Sequence, residues 1–142
     1  MTEIVKTVQK KQYVADDGSV FNDVEACKLH EESMNRQKII DRFEKLPYFR
    51  HTPEFVESDY TWKWHLVSSE DDLSVVKEYY EIYEDSFSLE FKPDSYPAWI
   101  AVSECDFDGS GQIEGTVTDI IERLHEYENG LVEMIEKKAK EI

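Results

Sequence analysis

Basic residues are scarce in this chain: 16 Lys and Arg stand against 32 Asp and Glu in 142 residues, a net charge of −16 at pH 7. A deficit of that size excludes nonspecific attachment to nucleic acid or to anionic lipid, both of which would repel the chain. Cysteine is equally sparse. Cys27 and Cys105 lie far apart with no CxxC spacing, which fits two reduced, buried thiols better than a disulfide framework. No apolar run approaches the length of a membrane span, and the opening Met-Thr-Glu-Ile-Val-Lys lacks the basic-then-apolar order of a secretory signal, so a cytoplasmic location is expected. Glycine is limited to five residues, and Gly109-Ser110-Gly111 lacks the Lys-Ser that a phosphate-cradling loop requires. No GxSxG elbow or comparable cysteine context occurs, and His51, His65 and His125 fall on three different predicted elements. No enzyme and no cofactor are expected.

What is present is enough apolar material for a core. At 40% hydrophobic and 13% aromatic residues, a chain of this length forms one compact domain by default and buries roughly 70% of its unfolded surface. One domain over 1–142 is expected, with 1–46 as a possible N-terminal subunit of it. The acid is not spread evenly. Residues 54–128 hold 20 acids and four bases, a net of −16 that equals that of the whole chain, while 1–53 and 129–142 are each neutral. The same stretch carries all three Trp, so acid and core aromatics share one segment.

Along the chain, residues 4–15 are rich in β-branched residues and Asp16-Asp17-Gly18-Ser19 supplies a tight turn before Val20-Phe21, a hairpin pattern. Asn22 and Glu25 have capping-box spacing, with Phe21 placed to staple onto Ala26, so a long or kinked helix should begin at Asp23 and end at Pro47. Residues 47–59 read as a connection. From Tyr60 to Val67 the residues alternate, with Tyr60, Trp62, Trp64 and Leu66 on one face, which predicts a strand. Ser69 then caps an amphipathic helix to about Glu84, buried through Leu73, Val76, Tyr80 and Tyr83. Ser86–Phe91 reads as a short strand or a loop. Ala98–Cys105 suits a central strand, the Asp106–Gly111 turn returns Gln112–Gly115 as its partner, and Thr116 caps a last helix. On that helix Ile120, Leu124, Tyr127, Leu131 and Met134 keep one phase through Asn129-Gly130, which favours a single helix. The expected fold is α+β: a small sheet built from two hairpins and a central strand, covered by about three helices in the order ββα-βα-ββα.

Tyr13, Phe21 and His30 in a ββα order resemble a zinc-finger unit of the two-Cys, two-His type, with Ala15 and Gly18 where its metal-binding cysteines would fall. Cys27 and His30 alone cannot complete a tetrahedral structural site, so the start is expected to be metal-free. Tyr-Val-Ala-Asp-Asp-Gly-Ser-Val-Phe followed by an acidic helix is similar to the start of many small phage-encoded proteins of Gram-positive hosts. The likeness covers about a fifth of the chain. It implies phage origin, and so a place in the host cytoplasm, with an anti-defence inhibitor of the anti-CRISPR or anti-restriction kind among the roles to be weighed.

Two sets of candidate site residues follow. Asp71, Glu78, Glu81, Asp85, Glu90 and Glu104 are the expected partner-binding carboxylates, offered to a basic host protein such as a defence nuclease as a stand-in for a nucleic-acid backbone. Asp106, Asp108, Ser110 and Glu114 match the first places of an EF-hand calcium loop, but Val117 stands at the twelfth place and a strand precedes the loop. A non-enzymatic inhibitor that binds a nucleic-acid-binding protein is therefore the first functional expectation. An acidic accessory or structural phage protein is the alternative, and a calcium-binding module ranks below both. The pattern leaves the oligomeric state open.

Overall fold

The structure, a computed structural model, describes residues 1–4, 9–83 and 87–141. The fold is α+β. Residues Met1–Ile40 make one compact unit and Asp41–Ile142 a second.

In the first unit β1 (Tyr13–Val14) pairs antiparallel with β2 (Val20–Phe21), so the hairpin is shorter than the sequence pattern, and residues 5–8 of that pattern lie outside the described residues. The turn works as its chemistry requires. Gly18 takes φ of 88° and Ser19 N–H donates to Asp17 Oδ1 at 2.9 Å. Helix α1 (Val24–Glu44) follows, and Asp23 caps it by accepting the Glu25 N–H at 3.1 Å. The expected cap, Asn22, instead lies 3.5 Å from the Gln12 amide. Either short polar side chain satisfies an orphan donor, and the one nearer the first turn has done so. Phe21 meets the ring of His30 at 5.1 Å.

The second unit is a five-stranded sheet in the order β3-β4-β6-β7-β5, with β3 (Tyr48–Arg50), β4 (Tyr60–Val67), β5 (Phe87–Ser88), β6 (Ala98–Cys105) and β7 (Gly111–Thr116). All pairs are antiparallel except β5 with β7. The element order is thus ββα-ββα-βββα, two short edge strands more than the sequence pattern. Tyr48, Phe49 and Arg50 are all exposed, so no alternation marked β3, and β5 occupies the segment that read as strand or loop.

Strand β4 differs from its expected single apolar face. Trp62 and Trp64 are buried on one side, but His65 and Val67 are buried on the other. The cause is that helices cover both faces. Helix α2 (Glu70–Tyr83) places Leu73, Val76 and Tyr80 against Val67, Ile100 and Val102, while helix α3 (Val117–Lys140) places Ile120 against Trp62, Trp64 and Ala101. Because Trp64 pairs with Ala101 and His65 with Ile100, alternate residues of β4 and β6 feed the two layers. Each fully buried aliphatic or aromatic side chain contributes about 1.5 to 3 kcal/mol.

The β6–β7 hairpin carries a bulge: Ala101 pairs with Gly115 and Val102 with Ile113, which leaves Glu114 as the extra residue. Gly115 has φ of 130° there. Thr116 then starts α3 with a complete capping box, its side chain accepting from Asp119 N–H while Asp119 accepts from Thr116 N–H at 2.8 Å. As expected, α3 runs through Gly130 as one helix.

Candidate functional site

The acidic segment 54–128 contains only four bases, and each has an internal partner. Lys77 donates to the carbonyl of Phe91 at 2.9 Å. Lys92 lies 4.0 Å from Glu70, and Arg123 binds Glu114 through Nη1 at 2.8 Å and the Glu114 carbonyl through Nη2. Lys63 Nζ sits 3.2 Å from Glu104 Oε1, a contact of opposite charges rather than an aligned hydrogen bond. Three of the four bases thus lie against carboxylates, while Lys77 bonds a neutral carbonyl and keeps its charge on α2, four residues from Glu81.

Of the six expected partner-binding residues, Asp71, Glu78 and Glu81 stand exposed on α2, and Glu90 is exposed on the segment after β5. At 100° per residue the three on α2 fall within roughly 80° of arc. They climb by about 10 and 4.5 Å along the helix axis. The bonds from Lys77 to Phe91 and from Lys92 to Glu70 hold the Phe91–Lys92 segment, which Glu90 precedes, against α2. Glu104 is different: it is half-buried on β6 and faces Lys63. Asp85 lies outside the described residues.

The EF-hand-like residues do not converge. Asp106 accepts from the Thr61 hydroxyl at 3.2 Å, and Asp108 Oδ1 accepts from the Ser110 N–H at 2.9 Å and its hydroxyl at 2.6 Å. Glu114, lifted by the bulge, takes Ser103 Oγ at 2.8 Å and Gln112 Nε2 at 2.7 Å on Oε1, and Arg123 on Oε2. Burial pushes the Glu114 carboxyl up, but the hydrogen bonds from Gln112, Arg123 and Ser103 and the Arg123 charge outweigh it and hold it below its usual range. The hydrogen bonds of Ser110 likewise lower Asp108. Among the described residues no three His, Cys, Asp or Glu side chains group as a metal site would require.

Two further features escaped sequence reasoning, the bond between His30 and Asp17 and the burial of His65, while the burial of Cys27 was expected. In the first unit His30 Nε2 lies 2.8 Å from Asp17 Oδ2, and that hydrogen bond, with those of Ser19, holds the Asp17 carboxyl down at about 2. Cys27 beside them is buried, which raises its thiol above the usual value, as do the charges of Glu31, Asp16 and Asp17. In the second unit His65 is 1% exposed, with Nε2 at 2.7 Å from the Tyr80 hydroxyl and Nδ1 without a hydrogen-bond partner among the described residues. Burial first, and the Lys63 charge second, lower its pKa to about 4, so it is neutral at pH 7. It borders a cleft of about 280 Å³ with Phe43, Tyr48, Arg50 and Tyr79. The Phe21–His30 proximity and the buried Cys27 thiol had a sequence signal. Arg123 and Glu114 are joined across a bulge that no pattern marks.

No protein family, characterised protein or solved structure matches the chain. Among the described residues no helix is long and apolar enough to cross a membrane.

Proposed function

We propose that the chain is a non-enzymatic, phage-type acidic protein that binds a basic nucleic-acid-binding protein of the host, a defence nuclease being the expected class, and occupies the surface on which that protein holds nucleic acid. One observation carries this reading: the whole charge excess sits in residues 54–128, where three of the only four bases already lie against carboxylates of the same segment. A surface kept soluble by charge has no need to confine it so. The row Asp71, Glu78 and Glu81 offers carboxylates at spacings of the same order as the 3.4 Å phosphate rise per strand and its multiples, and Glu90 adds a further exposed carboxylate. A cleft lined with Lys and Arg is complementary to such a row.

The test is capture from host lysate followed by competition with duplex DNA, in the parent and in Glu78→Lys/Glu81→Lys/Glu90→Lys. These exposed substitutions leave the fold intact, each costing within about 0.5 kcal/mol, and move the net charge from −16 to −10. The expected result is a stoichiometric DNA-binding partner that the parent displaces from duplex. Its affinity should weaken with salt as the Debye length shrinks from about 10 Å at 0.1 M to 3 Å at 1 M, and the triple variant should lose it. A partner that binds no nucleic acid, or undiminished capture by the triple variant, overturns the reading.

A further inference from the structure

We propose that the cleft bordered by the end of α1, by α2 and by the β3–β4 edge of the sheet is a small-molecule site for a zwitterion that carries an aromatic ring, an aromatic amino acid being the simplest such molecule. The cleft holds about 280 Å³. Its walls are Phe43, Tyr48 and Tyr79, its polar groups come from Glu44, Arg50, Lys63 and His65, and all of them belong to the second unit. Small-molecule sites begin at about 300 Å³, so a guest of one ring matches its size. Phe43 stacks on Tyr79 at 3.6 Å and meets His65 at 4.9 Å, and Tyr48 meets His65 at 6.0 Å. Rings gathered in this way offer a flat apolar guest the offset and edge contacts that aromatic groups prefer.

The charges of the cleft are set against local preference, and such departures gather at functional sites. Arg50 and Lys63 are direct partners across β3 and β4, where like charges destabilise a sheet. Lys63 has Glu104 at 3.2 Å, whereas Arg50 has no carboxylate within ion-pair reach among the described residues. Glu44 is the last residue of α1, where the negative end of the helix dipole opposes a carboxylate, and among the described residues it has no cation in reach. Glu44 and Arg50 thus line one cleft with opposite charges and do not bind each other. His65 Nδ1, buried without a hydrogen-bond partner among the described residues, is a third unmet polar group of the same cleft.

These groups select the guest. A carboxylate answers the guanidinium of Arg50, and an ammonium answers Glu44 together with the last carbonyls of α1. A guest with a carboxylate alone is repelled by a chain of net charge −16, and a guest with an ammonium alone is drawn as readily to the whole acidic segment. A zwitterion meets neither difficulty, and with a ring it engages the two opposed charges and the three aromatic walls at once. The cleft shares no residue with the carboxylate row on α2, so this site stands or falls apart from the role of that row.

The test is isothermal titration calorimetry of the full chain, as parent, Glu44→Gln and Arg50→Gln, with L-phenylalanine and with two probes of one charge each: hydrocinnamate, which lacks the ammonium, and phenethylamine, which lacks the carboxylate. The parent should bind L-phenylalanine saturably and one to one, and each probe about tenfold or more weakly, as the loss of one charge-assisted hydrogen bond dictates. Glu44→Gln should weaken L-phenylalanine and phenethylamine but not hydrocinnamate, and Arg50→Gln should weaken L-phenylalanine and hydrocinnamate but not phenethylamine. Both side chains are exposed, so the Trp fluorescence of the variants should match that of the parent. No binding of L-phenylalanine at millimolar concentration overturns the proposal. A one-charge probe that binds the parent as tightly as L-phenylalanine does, or L-phenylalanine binding that survives either substitution, overturns it too.

Discussion

Lowering the pH from 7 towards 4 should cost the second unit stability through a single buried ring. His65 has its pKa lowered from 6.5 to about 4 by burial and by the Lys63 charge. Below 6.5 the unfolded chain takes up a proton that the native chain refuses until about 4, so the contribution is complete above the unfolded value and lost as pH falls through this window. The difference of about 2.5 units corresponds to about 3 kcal/mol at most, with a slope of up to about 1.4 kcal/mol per pH unit. That is a large share of the 5 to 15 kcal/mol typical of a domain. Urea denaturation followed by Trp fluorescence measures it, because Trp62, Trp64 and Trp99 all lie in the second unit. Glu114 and Asp108, whose carboxyls lie below 4.5 and 3.8, lose their contributions further down the pH scale. The control is His65→Gln, which bonds the Tyr80 hydroxyl but takes no proton, and its stability should be flatter between pH 6.5 and 5. NMR of the parent should show the His65 ring still neutral at pH 5. Equal slopes in parent and variant, or a ring protonated near 6.5, would refute the argument.

Two core substitutions test the packing of the sheet. Trp64→Ala removes a buried ring and the indole bond to the His51 carbonyl at 2.9 Å, and should destabilise the second unit by about 3 to 5 kcal/mol in the same urea assay. Gly111→Ala, though only one methyl larger, would set that methyl on the ring of Phe87 and on the carbonyl oxygen of Ser103, and should cost about 1 to 3 kcal/mol; a neutral result would mean that β5 does not lie against β7.

Legibility followed local chemistry. Helix α2, strand β6 and helix α3 were readable because caps, periodicity and the Asp-Gly turn are written in adjacent residues. The two Asp-Gly-Ser turns, 17–19 and 108–110, even use the same bond, Ser N–H to Asp Oδ1 at 2.9 Å. What the sequence could not display is what lies across a strand. His65 alternates with Thr61 and Lys63 and so read as outward, but Phe43, Tyr48 and, from α2, Tyr80 close over that face and bury it. Strand β3 exists because β4 offers it an edge, not because Tyr48-Phe49-Arg50 has a pattern of its own. The acidity of the candidate surface was plain from counting, whereas the capture of Glu104 by Lys63 and of Glu114 by Arg123 depends on pairings 41 and nine residues apart.

The strands at the rims of the sheet are three and two residues long. A rim that short leaves few open N–H and C=O groups, so another molecule finds almost no template for adding a strand and building a cross-β stack. Protection against fibril growth is thus supplied by backbone geometry and does not draw on the carboxylates. The charge of residues 54–128 is released from that duty.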